Sequence, residues 1–204
     1  MNPRDRDVAG AGSAIGDALP AGGIAIVVGS SGGIGSALHQ RLAAQSRFSV
    51  VLGLGRRSSP SLDLTDEASV AAVARHVAGL GADVRLVIDA SGVLHDEGLS
   101  PEKSWRDLDA AQRARAFAVN AIGPALLMKY ILPLLPRQGC SVFATLSARV
   151  GSIGDNRLGG WYSYRASKAA LNMLVKTASI EIRRARPGSI VVALHPGTVN
   201  SGLS

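Results

Sequence analysis

"GIAIVVGSSGGIGSAL" (residues 23–38) is the stretch whose reading decides the fold. Its first half is a short apolar run rich in β-branched residues, the composition of a buried strand. In its second half Ile34 and Leu38, with Leu42 beyond, recur every four residues and lay one apolar stripe along a helix. Between the two halves stand Gly29, Gly33 and Gly35, spaced Gly-x-x-x-Gly-x-Gly. A glycine at a strand end permits a tight turn. Later glycines let the backbone and a helix N-terminus approach a pyrophosphate, whose charge the helix end meets. A strand, a glycine loop and a helix in this order predict a nucleotide-binding βαβ unit.

The alternation continues outward from this unit. Residues 48–55 ("FSVVLGLG") read as a second strand, 61–65 ("SLDLT") as a short third and 84–92 ("VRLVIDASG") as a fourth. Residues 140–147 ("CSVFATLS") read as a fifth and 188–197 ("GSIVVALHPG") as a sixth. Asp66 is placed to cap a helix running to about Gly81, with Val70, Val73 and Val77 on one face. A long helical stretch is expected from Trp105 to Leu135, kinked or broken at Pro124, and another from residue 161. Six strands alternating with helices predict an α/β, doubly wound, Rossmann-type parallel sheet, with ligands bound beyond the carboxyl ends of the strands.

A chain of 204 residues suits one domain. Residues 1–22 mix charges with small residues and read as a flexible leader, leaving 23–204 as the dinucleotide-binding domain. No run of 18 apolar residues occurs, which argues against a membrane span, and the single cysteine, Cys140, suits a reducing, cytoplasmic compartment. The net charge of +7 raises nucleic acid as a partner. However, only Arg56-Arg57 and Arg183-Arg184-Arg186 cluster, with no aromatic residues between them. A solvated basic surface is the expectation, with no nucleic-acid partner and no metal site.

"WYSYRASKAALN" (161–172) carries the candidate chemistry. With 3.6 residues per turn, Tyr164 and Lys168 share a helix face, whereas Tyr162 projects roughly 200° away and has Ala166 where Tyr164 has its lysine. A phenol is a poor acid or base near neutrality, and a nearby ammonium and an oxidised nicotinamide would favour its ionised form and lower its value.

The glycine spacing, "DASG" (89–92), "VNAIG" (119–123), Tyr164-x-x-x-Lys168 and "HPGTV" (195–199) occur in an order that resembles the short-chain dehydrogenase/reductase family. Residues 151–172 are most similar to its branch of C-factor and related carbonyl reductases. The resemblance implies an oxidoreductase that moves hydride between NADP(H) and a small carbonyl or alcohol. It assigns Tyr164 as general acid/base, Lys168 as its electrostatic partner, Asn120 as part of a proton relay and Ser147 as the group that orients the substrate oxygen. Aligning on Gly151 places Ala148 where a second serine is usual, so Ser152 stands as the alternative to Ser147.

Cofactor contacts implied by the resemblance are Gly29, Gly33, Ile34 and Gly35 at the phosphates and Asp63 and Leu64 at the adenine. Ser91 and Gly92 follow at the fourth strand, then Asn120, Tyr164 and Lys168, and finally Pro196, Gly197, Thr198 and Val199. The end of strand two carries Arg56 and Arg57 and no acid, which favours NADP over NAD, because a guanidinium pairs with a 2′-phosphate. Family members continue with a further helix and a seventh strand, so the chain reads as lacking both. A homodimer through helices at about 105–132 and 161–184 is the implied assembly. A nucleotide-binding signalling or regulatory protein with little turnover is the second reading.

Overall fold

The computed structural model describes residues 19–197. Five parallel strands form one sheet in the order β2-β1-β3-β4-β5, namely β1 (Ile24–Val28), β2 (Val50–Leu54), β3 (Val84–Asp89), β4 (Ser141–Leu146) and β5 (Ser189–Leu194). β2 lies on one side of β1 and β3 on the other, so the chain reverses its direction of winding beside β1. The register aligns Leu54, Val28, Asp89 and Thr145 in one row at the carboxyl edge. This edge, at the point where winding reverses, is where an open α/β sheet leaves a crevice for a ligand.

One face of the sheet is covered by α2 (Glu67–Gly79), α4 (Gly123–Ile131) and α5 (Tyr162–Ala185). Ile26, Val70, Leu127, Phe143 and Leu171 are fully buried in that layer. Each such side chain contributes roughly 1.5–3 kcal/mol through burial. α1 (Gly33–Ala43) covers the opposite face, where Leu42 packs with Val27, Phe48 and Leu86. Asp66 caps α2 as expected, accepting the Ala68 N–H at 2.9 Å. Among the described residues β5 is an edge strand, and its Ile190 and Leu194 are exposed.

Two sequence expectations are corrected. Residues 61–65 form no strand, so the sheet has five strands rather than six. Side chains take over the local backbone there. Asp63 accepts from Thr65, the Ser69 hydroxyl accepts the Asp63 N–H, and the same hydroxyl donates to the Ser61 carbonyl. The long helix begins at Ala110, not Trp105: α3 (Ala110–Phe117) follows a separate turn at Trp105–Asp107 that Ser104 caps. Between α3 and α4 the chain widens into a π turn at Ala118–Ile122, where the Gly123 N–H reaches back five residues to Ala118. Pro124, with no N–H to give Asn120, makes that widening cheap.

Of the expected leader, residues 1–18 lie outside the described residues, and Leu19 is buried with Val27 and Phe48. The helical stretch Ala110–Leu134 is long and apolar enough to cross a bilayer by length and hydropathy alone. Core helices pass the same test, and here Leu127, Met128 and Ile131 are buried in the layer beneath the sheet.

Candidate active site

Gly29 ends β1 with φ +75°, and a Cβ there would lie 3.0 Å from the Ala90 carbonyl oxygen just beyond β3. Gly35, in the first turn of α1, is held closer still. A Cβ on it would lie 2.2 Å from the Gly29 carbonyl oxygen, a backbone atom that cannot swing aside. The N–H groups of Gly33, Ile34 and Gly35 open the helix and have no intrahelical acceptor. No side chain caps them, and the first turn carries no acid. A bare, cationic helix end beside the sheet's crevice fits a diphosphate.

At the end of β2, the Ser58 hydroxyl donates to the Gly55 and Pro60 carbonyls and fixes the turn that presents Arg56 and Arg57. Both arginines are exposed, and among the described residues neither forms an ion pair. The Asp63 carboxylate accepts the Thr65 N–H at 2.9 Å and hydroxyl at 2.7 Å. These bonds, with Arg56 adding a smaller attraction, hold it below its ordinary value. Leu64 is buried against Gly123, where a Cβ would come within 2.7 Å of it. Pro196 and Gly197 are exposed beyond β5, while Thr198 and Val199 lie outside the described residues.

The remaining expected residues converge at the carboxyl edge of β3 and β4. Lys168 projects from α5, is 3% exposed, and donates to the Leu146 carbonyl at the end of β4 at 2.8 Å. Burial depresses its ammonium to about 8, against an opposing pull from Asp89. A Cβ on Gly92 would lie 3.5 Å from both Lys168 Nζ and Asn120 Oδ1, so the three residues lie side by side. Asn120, fully buried in the π turn, accepts the Val93 N–H and donates to the Val93 carbonyl, each at 2.8 Å. It also donates to Ser167 Oγ at 3.2 Å. The π turn aims this amide across to the loop after β3.

Tyr164 is half-buried one turn before Lys168, whose Nζ lies 5.9 Å from the phenol ring centre. Burial pushes the phenol above its ordinary value. The expected lowering by the ammonium and an oxidised nicotinamide concerns the cofactor-bound site; here Lys168 points at Leu146, and desolvation sets the direction. The Ser147 hydroxyl donates to Asn172 Oδ1 at 2.6 Å, and its N–H donates to the Leu194 carbonyl at 2.7 Å. Ser152 instead lines a separate cavity of about 260 Å³ with Tyr162, Arg165 and Ala169, on a different face of α5 from Tyr164.

Sequence reasoning missed Asn172 and Glu102, and noted Asp89 only as standing in "DASG" where the resembled family usually has asparagine. Asn172 holds the Ser147 hydroxyl, and its place four residues after Lys168 was a usable signal. Asp89, fully buried, accepts from Ser91 N–H and Oγ at 3.0 and 2.5 Å and from Thr145 Oγ1 at 2.9 Å. Burial pushes its carboxyl up against the pull of those bonds and of Lys168. Glu102, buried in the loop before α3, bonds Ser163. Nothing local in the sequence marks that long-range contact.

A family model described as enoyl-(acyl carrier protein) reductase matches residues 8–204. A 1-hydroxy-2-glutathionyl-2-methyl-3-butene dehydrogenase from Rhodococcus is 31% identical over 192 residues, covering 88% of this chain and 79% of that protein. The chain belongs to the short-chain dehydrogenase/reductase family. This is a family of oxidoreductases, and C-signal from Myxococcus xanthus fits the branch expected from residues 151–172. It is 41% identical over 97 residues, covering 48% of this chain and 57% of C-signal. Among solved structures of short-chain dehydrogenase/reductase type, the NADPH-bound carbonyl reductase from chicken fatty liver superposes with a TM-score of 0.75 at 28% identity. That match covers 90% of this chain and 79% of the chicken protein.

Proposed function

We propose that the protein transfers hydride between NADP(H) and a small carbonyl or alcohol, with Tyr164 as the proton donor in the direction of reduction. The observation that carries this reading is the Tyr164/Lys168 pair, one turn apart on α5, with the lysine buried and tied to the end of β4. A phenol whose value burial raises is fully protonated at neutral pH and so ready to give a proton to a substrate oxygen. The alcohol in the Rhodococcus enzyme's name and the bound NADPH of the chicken reductase agree in chemical class.

The glycine loop would hold the diphosphate, Arg56 and Arg57 the 2′-phosphate, and Asp63 and Leu64 the adenine. Ser91, Gly92, Asn120 and Lys168 would border the nicotinamide half. When bound, the dinucleotide supplies or accepts the hydride. Lys168 holds a positive charge beside the tyrosine, Asn120 fixes the loop after β3, and Ser147 steadies the substrate oxygen once its hydroxyl turns from Asn172. A second copy would dock across α4 and α5, where Leu132 and Leu174 line a groove of about 470 Å³ and Met173 is 67% exposed nearby. The single cysteine, free and half-buried, suits a cytoplasmic location.

One observation favours the second reading, a nucleotide-binding regulator. The Ser147 hydroxyl is engaged with Asn172, and Ala148 offers none. A panel of small aldehydes and ketones, followed by NADPH oxidation, separates the two. Turnover of at least one carbonyl is expected; tight NADPH binding with no turnover across the panel supports the regulator.

A further inference from the structure

We propose that Glu102 is a positioning residue for Tyr164, acting as a remote cap on the first turn of α5. This rests on the reading of Tyr164 as the proton donor. Helix α5 begins at Tyr162 behind Trp161, which cannot supply the side-chain acceptor that the second residue of a helix normally finds at its cap. That residue is Ser163, immediately before Tyr164. Its N–H is accepted by Glu102 Oε2 at 3.1 Å, and its hydroxyl by Glu102 Oε1. The Glu102 backbone carbonyl accepts the Trp161 N–H at 2.5 Å. One residue, 61 positions away in sequence, thus meets both donors of Ser163 and the N–H of the cap residue.

The clamp holds a backbone that would not hold itself. Gly159, Gly160 and Trp161 are left-handed in succession, at φ +66°, +66° and +52°, and among the described residues Trp161 is the sole non-glycine at positive φ. Side chains other than glycine adopt this region only where surroundings enforce it. Trp161 then meets the Tyr164 ring edge-on, with centroids 6.3 Å apart and planes at 76°. Glu102 is itself anchored. Leu99 is buried, the Ser100 N–H donates to Gln112 Oε1 at 3.1 Å, and the N–H groups of Lys103 and Ser104 donate to Asp107 Oδ2 at 3.2 and 2.9 Å. The Glu102 side chain is sealed, the residue being 5% exposed.

Further along α5, Lys168 and Asn172 tie the helix to β4 and the residue after it independently of Glu102. Loss of the carboxylate should therefore loosen the first turn, with Tyr164 in it, and leave Lys168 in place. Displacing a reacting group by about 1 Å costs on the order of 10²-fold in rate.

The test compares the full-length wild type with Glu102→Ala, Ser163→Ala, their double variant and Tyr164→Phe. It follows carbonyl reduction and the NMR signals of ¹³C-ring-labelled tyrosine, with Tyr164→Phe assigning the Tyr164 signal. Glu102→Ala removes both acceptors that face Ser163. It is expected to lower kcat by about 10- to 100-fold, to leave KM and NADPH affinity within about twofold, and to displace the Tyr164 signal while the Tyr130 signal stays. The double variant should be no worse than Glu102→Ala alone, because both act through one contact. A Tyr164 signal unmoved in both Glu102→Ala and Ser163→Ala overturns the proposal. Should Tyr164→Phe turn over as fast as wild type, the tyrosine's role fails, and the NMR signal still decides the clamp.

Discussion

Replacing Asp89 by asparagine should lower the titration of Lys168, and the structure says why. The Asp89 carboxylate and the Lys168 ammonium are buried behind adjacent positions at the end of β4, the first bonded to Thr145 and the second to the Leu146 carbonyl. Burial alone takes Lys168 from 10.5 to about 8 even with the carboxylate pulling the other way. At about 1.36 kcal/mol per pH unit, keeping that ammonium protonated near neutrality costs the fold on the order of 3 kcal/mol. Because the unfolded chain holds the proton more tightly, it carries more protons than the native state between pH 8 and 10.5, and stability rises with pH across that window.

Titration of ¹³C-ε-labelled lysine in the cofactor-free protein measures this directly, with Lys168→Met assigning the signal. A lysine near pH 8 is expected in wild type and a lower value in Asp89→Asn. In urea unfolding, wild type should gain stability relative to Lys168→Met on going from pH 7.5 to 10. A Lys168 signal titrating at 10.5 or above, or one that Asp89→Asn leaves in place, would refute the reasoning.

Arg56→Ala should weaken NADPH binding by about tenfold, the loss of one charge-assisted hydrogen bond, while NADH binding is unchanged; fluorescence titration of both nucleotides checks it. Gly35→Ala drives a Cβ to 2.2 Å from the Gly29 carbonyl and should abolish NADPH binding and lower Tm; wild-type affinity would show that the loop yields. Asn120→Ala leaves the Val93 N–H and carbonyl without their partner in a buried site and should cost about 2–4 kcal/mol in denaturant unfolding.

Much of this was legible in the sequence because it is local. The strand, glycine loop and helix of residues 23–38 are readable from spacing alone, as are the Asp66 cap and the Tyr164/Lys168 face. Residues 61–65 misled because Leu62 and Leu64 alternate like a strand, whereas Asp63, Ser69 and Thr65 supply side-chain partners that compete with any ladder. The π turn left only Pro124 as a trace. Contacts that join distant segments left less: Glu102 to Ser163 left no trace and Ser147 to Asn172 only the spacing of Asn172 from Lys168, since both depend on which strand ends and loops the sheet order brings together. The direction of the Tyr164 shift was equally hidden, since it follows from burial and from the lysine being turned toward Leu146.

The central claim is that the Tyr164 phenol gives the proton. Turnover of one carbonyl by wild type and by Tyr164→Phe, with NADPH affinity measured on both, tests it most directly. The account predicts affinity within about twofold and a fall in kcat of about 10² or more. Equal turnover in the two proteins would contradict it.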